Sequence, residues 1–276
     1  VRVVSFGDAH FDRGVRTAVR DSSARSLLES TRALRNGAVS LVNLETPLCD
    51  PQLPPRAKKY SLRSPAGFAK DLRAAGFTHA VLANNHVLDR GRAGLVQTLI
   101  ALKAAGVVPV GASLSGDPCR ATMAGTSTDS VALLAAVLLP GEDGRFLCHD
   151  EARLVARLKV LRRRGIAAVV TLHWGSEFDP LASREQMATA ARLVRAGAVA
   201  IVGNHAHVVQ GSSGRDGVPS LVSGAPVWYG IGNFLFDQWQ PWTRRALAVQ
   251  MDVSDGRLVG WKSLALRRDG PFVRPE

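Results

Sequence analysis

Five of the seven histidines of this 276-residue chain follow directly on short apolar runs, and each has carboxylates or carboxamides close by in sequence. GDAH holds Asp8 and His10, NLE holds Asn43 and Glu45, and NNHVLD holds Asn84, Asn85, His86 and Asp89. HWGSE holds His173 and Glu177, and GNHAH holds His205 and His207. Neutral imidazoles, a carboxylate able to bridge and an amide oxygen of low charge are the donors required by two divalent ions about 3.5–4 Å apart, which together clamp a phosphoryl group and activate water. No cysteine lies among these residues, which separates the set from a thiolate-built structural zinc site. Taken singly, each residue has a structural alternative. Asp8 caps a turn, Glu45 pairs with an arginine, NNH forms a turn, and a lone histidine at a strand end is hydrogen-bonded into the core. These alternatives would all have to hold at one edge, so the residues are read as one site. In extended backbone residues i and i+2 share a face, so Asp8 with His10, and His205 with His207, can each converge on a centre.

The elements that must position these groups are legible in the pattern. Short β-branched runs predict strands over 1–6, 39–43, 79–83, 107–110, 131–139, 166–172 and 198–202. Helices are expected over 22–35, starting at the pair Ser22–Ser23, and over 65–75, with Ser64 as cap and Pro65 in the first turn. Further helices over 92–105, 150–164 and 184–196 stop before Gly106, Gly165 and Gly197. The β-α-β-α rhythm implies an α/β fold. After residue 217 four consecutive strand-like stretches suggest a second sheet within a single domain spanning 1–276. Residues 112–129 read as a surface loop, and the proline-rich 48–58 as an excursion near the site. The polar clusters all follow the carboxyl ends of strands, the edge at which open α/β sheets bind ligands.

Composition narrows the classes. The formal net charge is +12, but the charges are scattered. The densest run, RLKVLRRRG, reads as the exposed side of a helix, and no nucleic-acid-binding module is recognisable, so no nucleic-acid partner is expected. Cys49, Cys119 and Cys148 are far apart and odd in number, which suggests no disulfide framework and a reducing compartment. No apolar run approaches the length of about 20 residues that spans a bilayer. The chain as given is expected to be cytoplasmic, or extracellular and membrane-anchored if a leader has been removed.

The motifs GDAHF, NLETPL, KKYSLRSP, ANNHVLDRGRAG, HWGSEF, GNHAHVVQG and YGIGNFLFDQ, in this order from residue 3 to about 238, resemble the CapA family of poly-γ-glutamate capsule biosynthesis proteins, within the calcineurin-like metallophosphoesterase superfamily. The resemblance implies a four-layer α/β/β/α sandwich of two mixed sheets flanked by helices, and a site for two divalent metal ions of the Mn, Fe or Zn type. It implies Asp8, His10 and His207 as ligands of one metal, Asn85, His173 and His205 as ligands of the other, and Glu45 as the bridging acid where the superfamily usually has Asp. His86 resembles the histidine that protonates the leaving group, with Asp89 orienting it. Arg13, Lys59, Tyr60 and Arg63 either bind an anionic substrate or line a loop. Asn233 and Asp237 are expected to close the pocket from the second sheet. Trp174 is expected to pack, and His79 and His149 to be structural. Three functions compete. One is a metal-dependent hydrolase or transferase for a phosphoester or acidic polymer. The second is a metal-free acid/base enzyme, such as a peptide Cα epimerase, using Asp8 and His205 or His207. The third is a non-catalytic capsule-assembly partner, in complex with a membrane synthase.

Overall fold

The computed structural model describes residues 1–19, 23–126, 129–211 and 217–276. In chain order the strands are β1 (Arg2–Ala9), β2 (Val39–Leu44), β3 (His79–Val81), β4 (Val108–Val110), β5 (Thr122–Gly125), β6 (Ser130–Val137), β7 (Ala168–His173) and β8 (Ala198–Asn204). They continue with β9 (Val209–Gln210), β10 (Ser220–Val222), β11 (Ala225–Trp228), β12 (Gly230–Ile231), β13 (Asn233–Leu235), β14 (Arg245–Ser254), β15 (Arg257–Asp269) and β16 (Phe272–Pro275). The helices are α1 (Arg13–Ala18), α2 (Arg25–Leu28), α3 (Phe68–Ala74), α4 (Gly91–Ala105), α5 (Glu151–Arg163) and α6 (Arg184–Ala196).

One sheet has the order β16-β15-β14-β1-β2-β3-β4, with β13 pairing β1 where β14 leaves off. The other has the order β10-β11-β8-β7-β6-β5, and β9 with β12 makes a short ribbon. The central strands β1 to β4 are parallel, as are β6, β7, β8 and β11, and antiparallel strands extend both sheets. Alternation along each strand sorts the side chains into layers. Val4, Phe6, Val42 and Ala80 pack with Leu27, Phe68, Leu72 and Leu95 of the helices on one side. Val3, Leu41, Val81 and Val110 face Leu133, Val169, Ala200 and Val202 across the gap between the sheets. Ala132, Leu134, Val170 and Ile201 pack with Leu154, Leu158 and Leu193 of α5 and α6. This is the expected α/β/β/α sandwich. Asn43, His173 and Asn204 are the next members of the inward rows, at the carboxyl ends of β2, β7 and β8.

The later helices follow their sequence signals. Asp150 caps α5 by accepting from the Arg153 N–H, and Ser183 with Gln186 forms a reciprocal capping box on α6. Gly106 ends α4 at φ 72°.

Four expectations need correction. The helix over 22–35 is the four-residue α2 followed by a 3₁₀ segment, Glu29–Arg35, and Ser22 lies outside the described residues. Ser64 caps nothing: its hydroxyl accepts from the Phe11 N–H at 2.8 Å and lies 3.2 Å from Thr46 Oγ1, tying three loops together, so α3 begins only at Phe68. The loop over 112–129 contains β5, which pairs antiparallel with β6. Finally, Cys119 and Cys148 form a disulfide. They are 29 residues apart in sequence, but the β5–β6 hairpin brings the segment before β5 alongside the segment after β6, a pairing that spacing alone does not reveal. Cys49 is a buried free thiol.

Among the described residues no helix is long and apolar enough to cross a membrane. Thiol titration of the unfolded chain is expected to find one reactive cysteine before reduction and three after it, and three before reduction would contradict the pairing. Closing a loop of this length is expected to stabilise the fold by about 3–4 kcal/mol, read as the shift in urea midpoint on reduction.

Candidate functional site

The site is built where the inward rows run out. The register of β1 against β2 steps between Phe6 and Asp8, a bulge centred on Gly7. A Cβ on Gly7 would lie 1.8 Å from the Gly232 carbonyl oxygen, so only glycine admits the segment before β13 this closely. The extra residue turns Asp8 onto the inward row beside Asn43, whose side-chain amide donates to Asp8 Oδ1 at 2.7 Å. Gly203 plays the same part at the end of β8, where a Cβ would lie 1.8 Å from the Tyr229 carbonyl oxygen.

His205 and His207 follow with φ of 90° and 60°, in the left-handed region that side chains disfavour. The extended backbone expected for this pair is therefore absent, and a strained turn aims the two rings instead. The His205 N–H donates to Asp8 Oδ2 at 3.2 Å and ties that turn to β1.

Two ligand groups result. Glu45, His173 and His205 place donor atoms within 4.8 Å of one another, and so do Asp8, Glu45 and His207. Glu45 belongs to both. Asn85 Oδ1 lies 2.9 Å from His173 Nε2, which brings it to the first group. The structure therefore brings together Asp8, Glu45, Asn85, His173, His205 and His207.

His10 is placed differently. Its Nδ1 accepts from the Asp12 N–H at 3.1 Å, so its Nε2–H donates to Asp237 Oδ1 at 3.2 Å, and its ring meets Phe236 edge-on. Asp237 also accepts from Arg13 at 2.6 Å. Burial alone would raise the Asp237 carboxyl, but His10 and Arg13 outweigh it and hold the group well below the usual range.

His86 Nδ1 lies 2.6 Å from Asp89 Oδ2, which leaves its Nε2 4.0 Å from Glu45 Oε1. Asp89 is fixed in turn by Lys58 Nζ at 2.9 Å and by the Leu62 N–H at 2.7 Å. A cleft of about 460 Å³ opens over the site, bordered by Arg13, Lys59, Tyr60, His86, Glu177 and His207. Arg63 does not reach it; its guanidinium points to the Cys49 carbonyl in a separate groove. Asn233 Oδ1 accepts from His207 Nδ1 at 2.8 Å. It does so from β13, beside β1 in the sheet that carries Asp8, and not from the second sheet. Trp174 stacks on Tyr229, as expected of a packing residue, and His79 and His149 bond outside the site to Thr78 and to the Val137 carbonyl.

The polar accounting tests whether a metal suits these residues. Glu45 is fully buried and neither carboxylate oxygen has a hydrogen-bond partner. His205 Nδ1 and both amide atoms of Asn204 are also buried and unpartnered. Buried polar groups are ordinarily satisfied, so this cluster of orphans fits a cation. The electrostatics agree. Burial, and then the neighbouring Asp8 carboxylate, push the Glu45 carboxyl well above its ordinary range. Burial, reinforced by the other imidazoles, drives His173 well down and His205 to about 4, so both rings are neutral at neutral pH, as ligation requires. Burial lowers His86 as well, with Asp89 opposing.

The sequence places Asn43 and Glu177 in the polar clusters without a specific role, and gives no site role to Asn204 or Lys58. Asn43 and Glu177 were visible at strand ends. Lys58 carries no local signal, because only the fold of the 48–58 excursion brings it to Asp89 and to the Asn85 carbonyl.

Comparison with known proteins bears on this arrangement. The family described as bacterial capsule synthesis protein PGA_cap matches residues 2–238. The chain belongs to this family. The capsule biosynthesis protein CapA of Bacillus anthracis is 31% identical over 198 residues, 67% of this chain and 46% of that protein. The PGA biosynthesis protein CapA of Bacillus subtilis (strain 168) is 29% identical, over 70% of this chain and 51% of that protein. The chain thus spans about half the length of these two relatives. A probable polyglutamine synthesis accessory protein of Mycobacterium tuberculosis is 26% identical over 87% of this chain and 69% of its own length. Among solved structures, a hypothetical protein from Thermus thermophilus aligns with a TM-score of 0.60 at 17% identity, over 98% of this chain and 100% of its own. A novel phosphatase from Mycoplasma pneumoniae aligns with a TM-score of 0.61 at 10% identity, over 98% and 95%. At such identities the likeness is one of fold alone.

Glu45→Gln is expected to stabilise the metal-free protein at pH 7–8 by about 2 kcal/mol, the scale of relieving an unpaired buried charge. In the wild type a carboxyl raised in the folded state loses its stabilising contribution as pH rises through its folded pKa. The advantage of the neutral amide should therefore shrink as pH falls. Urea midpoints across pH measure this, and a Gln variant less stable than the wild type at pH 8 would contradict the account.

Proposed function

We propose that the protein is a metal-dependent phosphoester hydrolase or transferase with a dinuclear centre bridged by Glu45. The observation that carries the reading is the Glu45 carboxylate, buried, unpartnered and common to both ligand groups. Asp8 and His207 would hold one ion, and His173, His205 and Asn85 the other. Bound there, two divalent cations of the Mn, Fe or Zn type would supply Lewis acidity and a water of lowered pKa.

The chain's own residues account for the rest. Arg13 and Lys59 border the cleft and attract an anionic substrate. His86 faces the same cleft, and Asp89 fixes its ring through Nδ1, which leaves Nε2 to deliver a proton to the departing oxygen. Asn43 and Asn233 orient Asp8 and His207. His10, committed to Asp237, steadies Arg13 from below instead of ligating. The Cys119–Cys148 disulfide supports placement in an oxidising compartment outside the cytoplasm, and the family supports a role in making or remodelling a capsule polymer.

Purified protein loaded with Mn²⁺ or Zn²⁺ is expected to hydrolyse aryl phosphates, and chelation should abolish the activity. His86→Ala should lower kcat on phenyl phosphate by about 10²–10⁴-fold, the usual worth of a general acid. It should have far less effect on 4-nitrophenyl phosphate, whose leaving group needs no proton. Equal losses on the two substrates would remove His86 from that role. Absence of both metal uptake and turnover would contradict the hydrolase and favour a non-catalytic assembly role. Chelator-resistant activity with solvent deuterium entering a peptide Cα would instead establish the metal-free epimerase.

A further inference from the structure

Beside the polar cleft lies a second cavity of about 670 Å³, bordered by Phe178, Pro180, Val208, Val209, Gln240 and Trp242. Phe178 and Gln240 border both cavities, so the two adjoin. Its character is opposite. The first offers Arg13, Lys59, Glu177 and two histidines, whereas the second offers two aromatic rings, two valines and a proline, with Arg245 and Gln240 at its border. Trp242 is 60% exposed and Phe178 40%, and exposed aromatic side chains gathered at a concavity are expected where a ligand or partner docks.

The wall between the two is built with some strain. Phe178 has φ 63°, a left-handed conformation that an aromatic residue adopts only under constraint, and its ring lies 6.0 Å from that of His207. The constraint is visible. The Phe178 N–H donates to the Ala206 carbonyl at 2.8 Å, and Gln210 Nε2 donates to the Asp179 carbonyl at 2.9 Å. The Gly211 N–H donates to the Pro180 carbonyl at 3.1 Å. The segment that presents the apolar wall is thereby bolted to the turn that carries His205 and His207, so a group lying on the wall is held in fixed register with the ligand groups.

We infer that the substrate carries, next to its phosphoryl group, an apolar substituent of aromatic-ring size or larger that docks against Phe178, Val208 and Trp242. The inference rests on the hydrolase reading and sharpens it. A bare acidic polymer would leave this wall unused, whereas a phosphoester with an apolar substituent would fill both cavities at once.

The test compares phenyl phosphate with 4-phenylphenyl phosphate, whose leaving phenols are nearly equal in acidity. The wild-type protein should favour the larger ester in kcat/KM by about tenfold, the worth of burying part of one more ring. Trp242→Ala should bring that ratio towards one; the exposure of Trp242 means its truncation spares the core. The matching non-hydrolysable phosphonates, titrated calorimetrically, should show the same preference in Kd and the same loss in the variant. A wild-type ratio near one in both measurements would overturn the apolar subsite, as would a ratio unmoved by Trp242→Ala. Loss of turnover on both esters with the phosphonate preference intact would uphold the subsite and overturn the hydrolase alone.

Discussion

A buried carboxylate without a proton donor is among the more costly groups a fold can carry, and the arrangement around Glu45 exists to hold one. Two imidazoles on one side and Asp8 with a third imidazole on the other approach it without satisfying it. Burial raises the acid and lowers the bases, so without a cation the cluster tends towards a set of neutral groups. A cation reverses the balance, because it rewards the ionised carboxylate and the neutral imidazole together. The instability is thus specific to the metal-free form.

The rest of the fold serves to bring these groups within reach. Two mixed sheets packed face to face end the inward rows of their parallel strands at one edge, and the polar residues begin where the aliphatic ones stop. The bulge at Gly7 and the close approach at Gly203 then bring β13 and the segment ahead of it up against the ends of β1 and β8. The two left-handed histidines add further strain at the same edge. Strain, orphaned polar atoms and shifted titrations coincide at one place, which is the physical signature expected of a functional site and not of a structural core.

Much of this was legible in the chain. Period-two alternation and β-branched runs mark the central strands, and capping residues with terminal glycines mark α4, α5 and α6. The position of five polar clusters after five strands marked the edge of the site, with Asp8, Glu45, Asn85, His173, His205 and His207 among its residues, and with His10, which the structure places apart. What escaped was non-local. The ring of His10 follows Asp237, 227 residues away. Lys58 meets Asp89 only through the path of an irregular loop. Cys119 and Cys148 meet because a hairpin that lacks a strong alternating pattern folds back between them. Arg63 sits next to Lys59 and Tyr60 in sequence but turns to another groove, because its backbone N–H is taken by Asp12 and its guanidinium by Cys49. In each case the deciding contact joins residues that no local pattern connects.

The most direct test of the account is anomalous diffraction from crystals grown with Mn²⁺ or Zn²⁺. It predicts two anomalous peaks, one on each side of Glu45, with His173 and His205 at one and Asp8 and His207 at the other. A single peak centred on His10 and Asp237, or none near Glu45 at saturating metal, would contradict it.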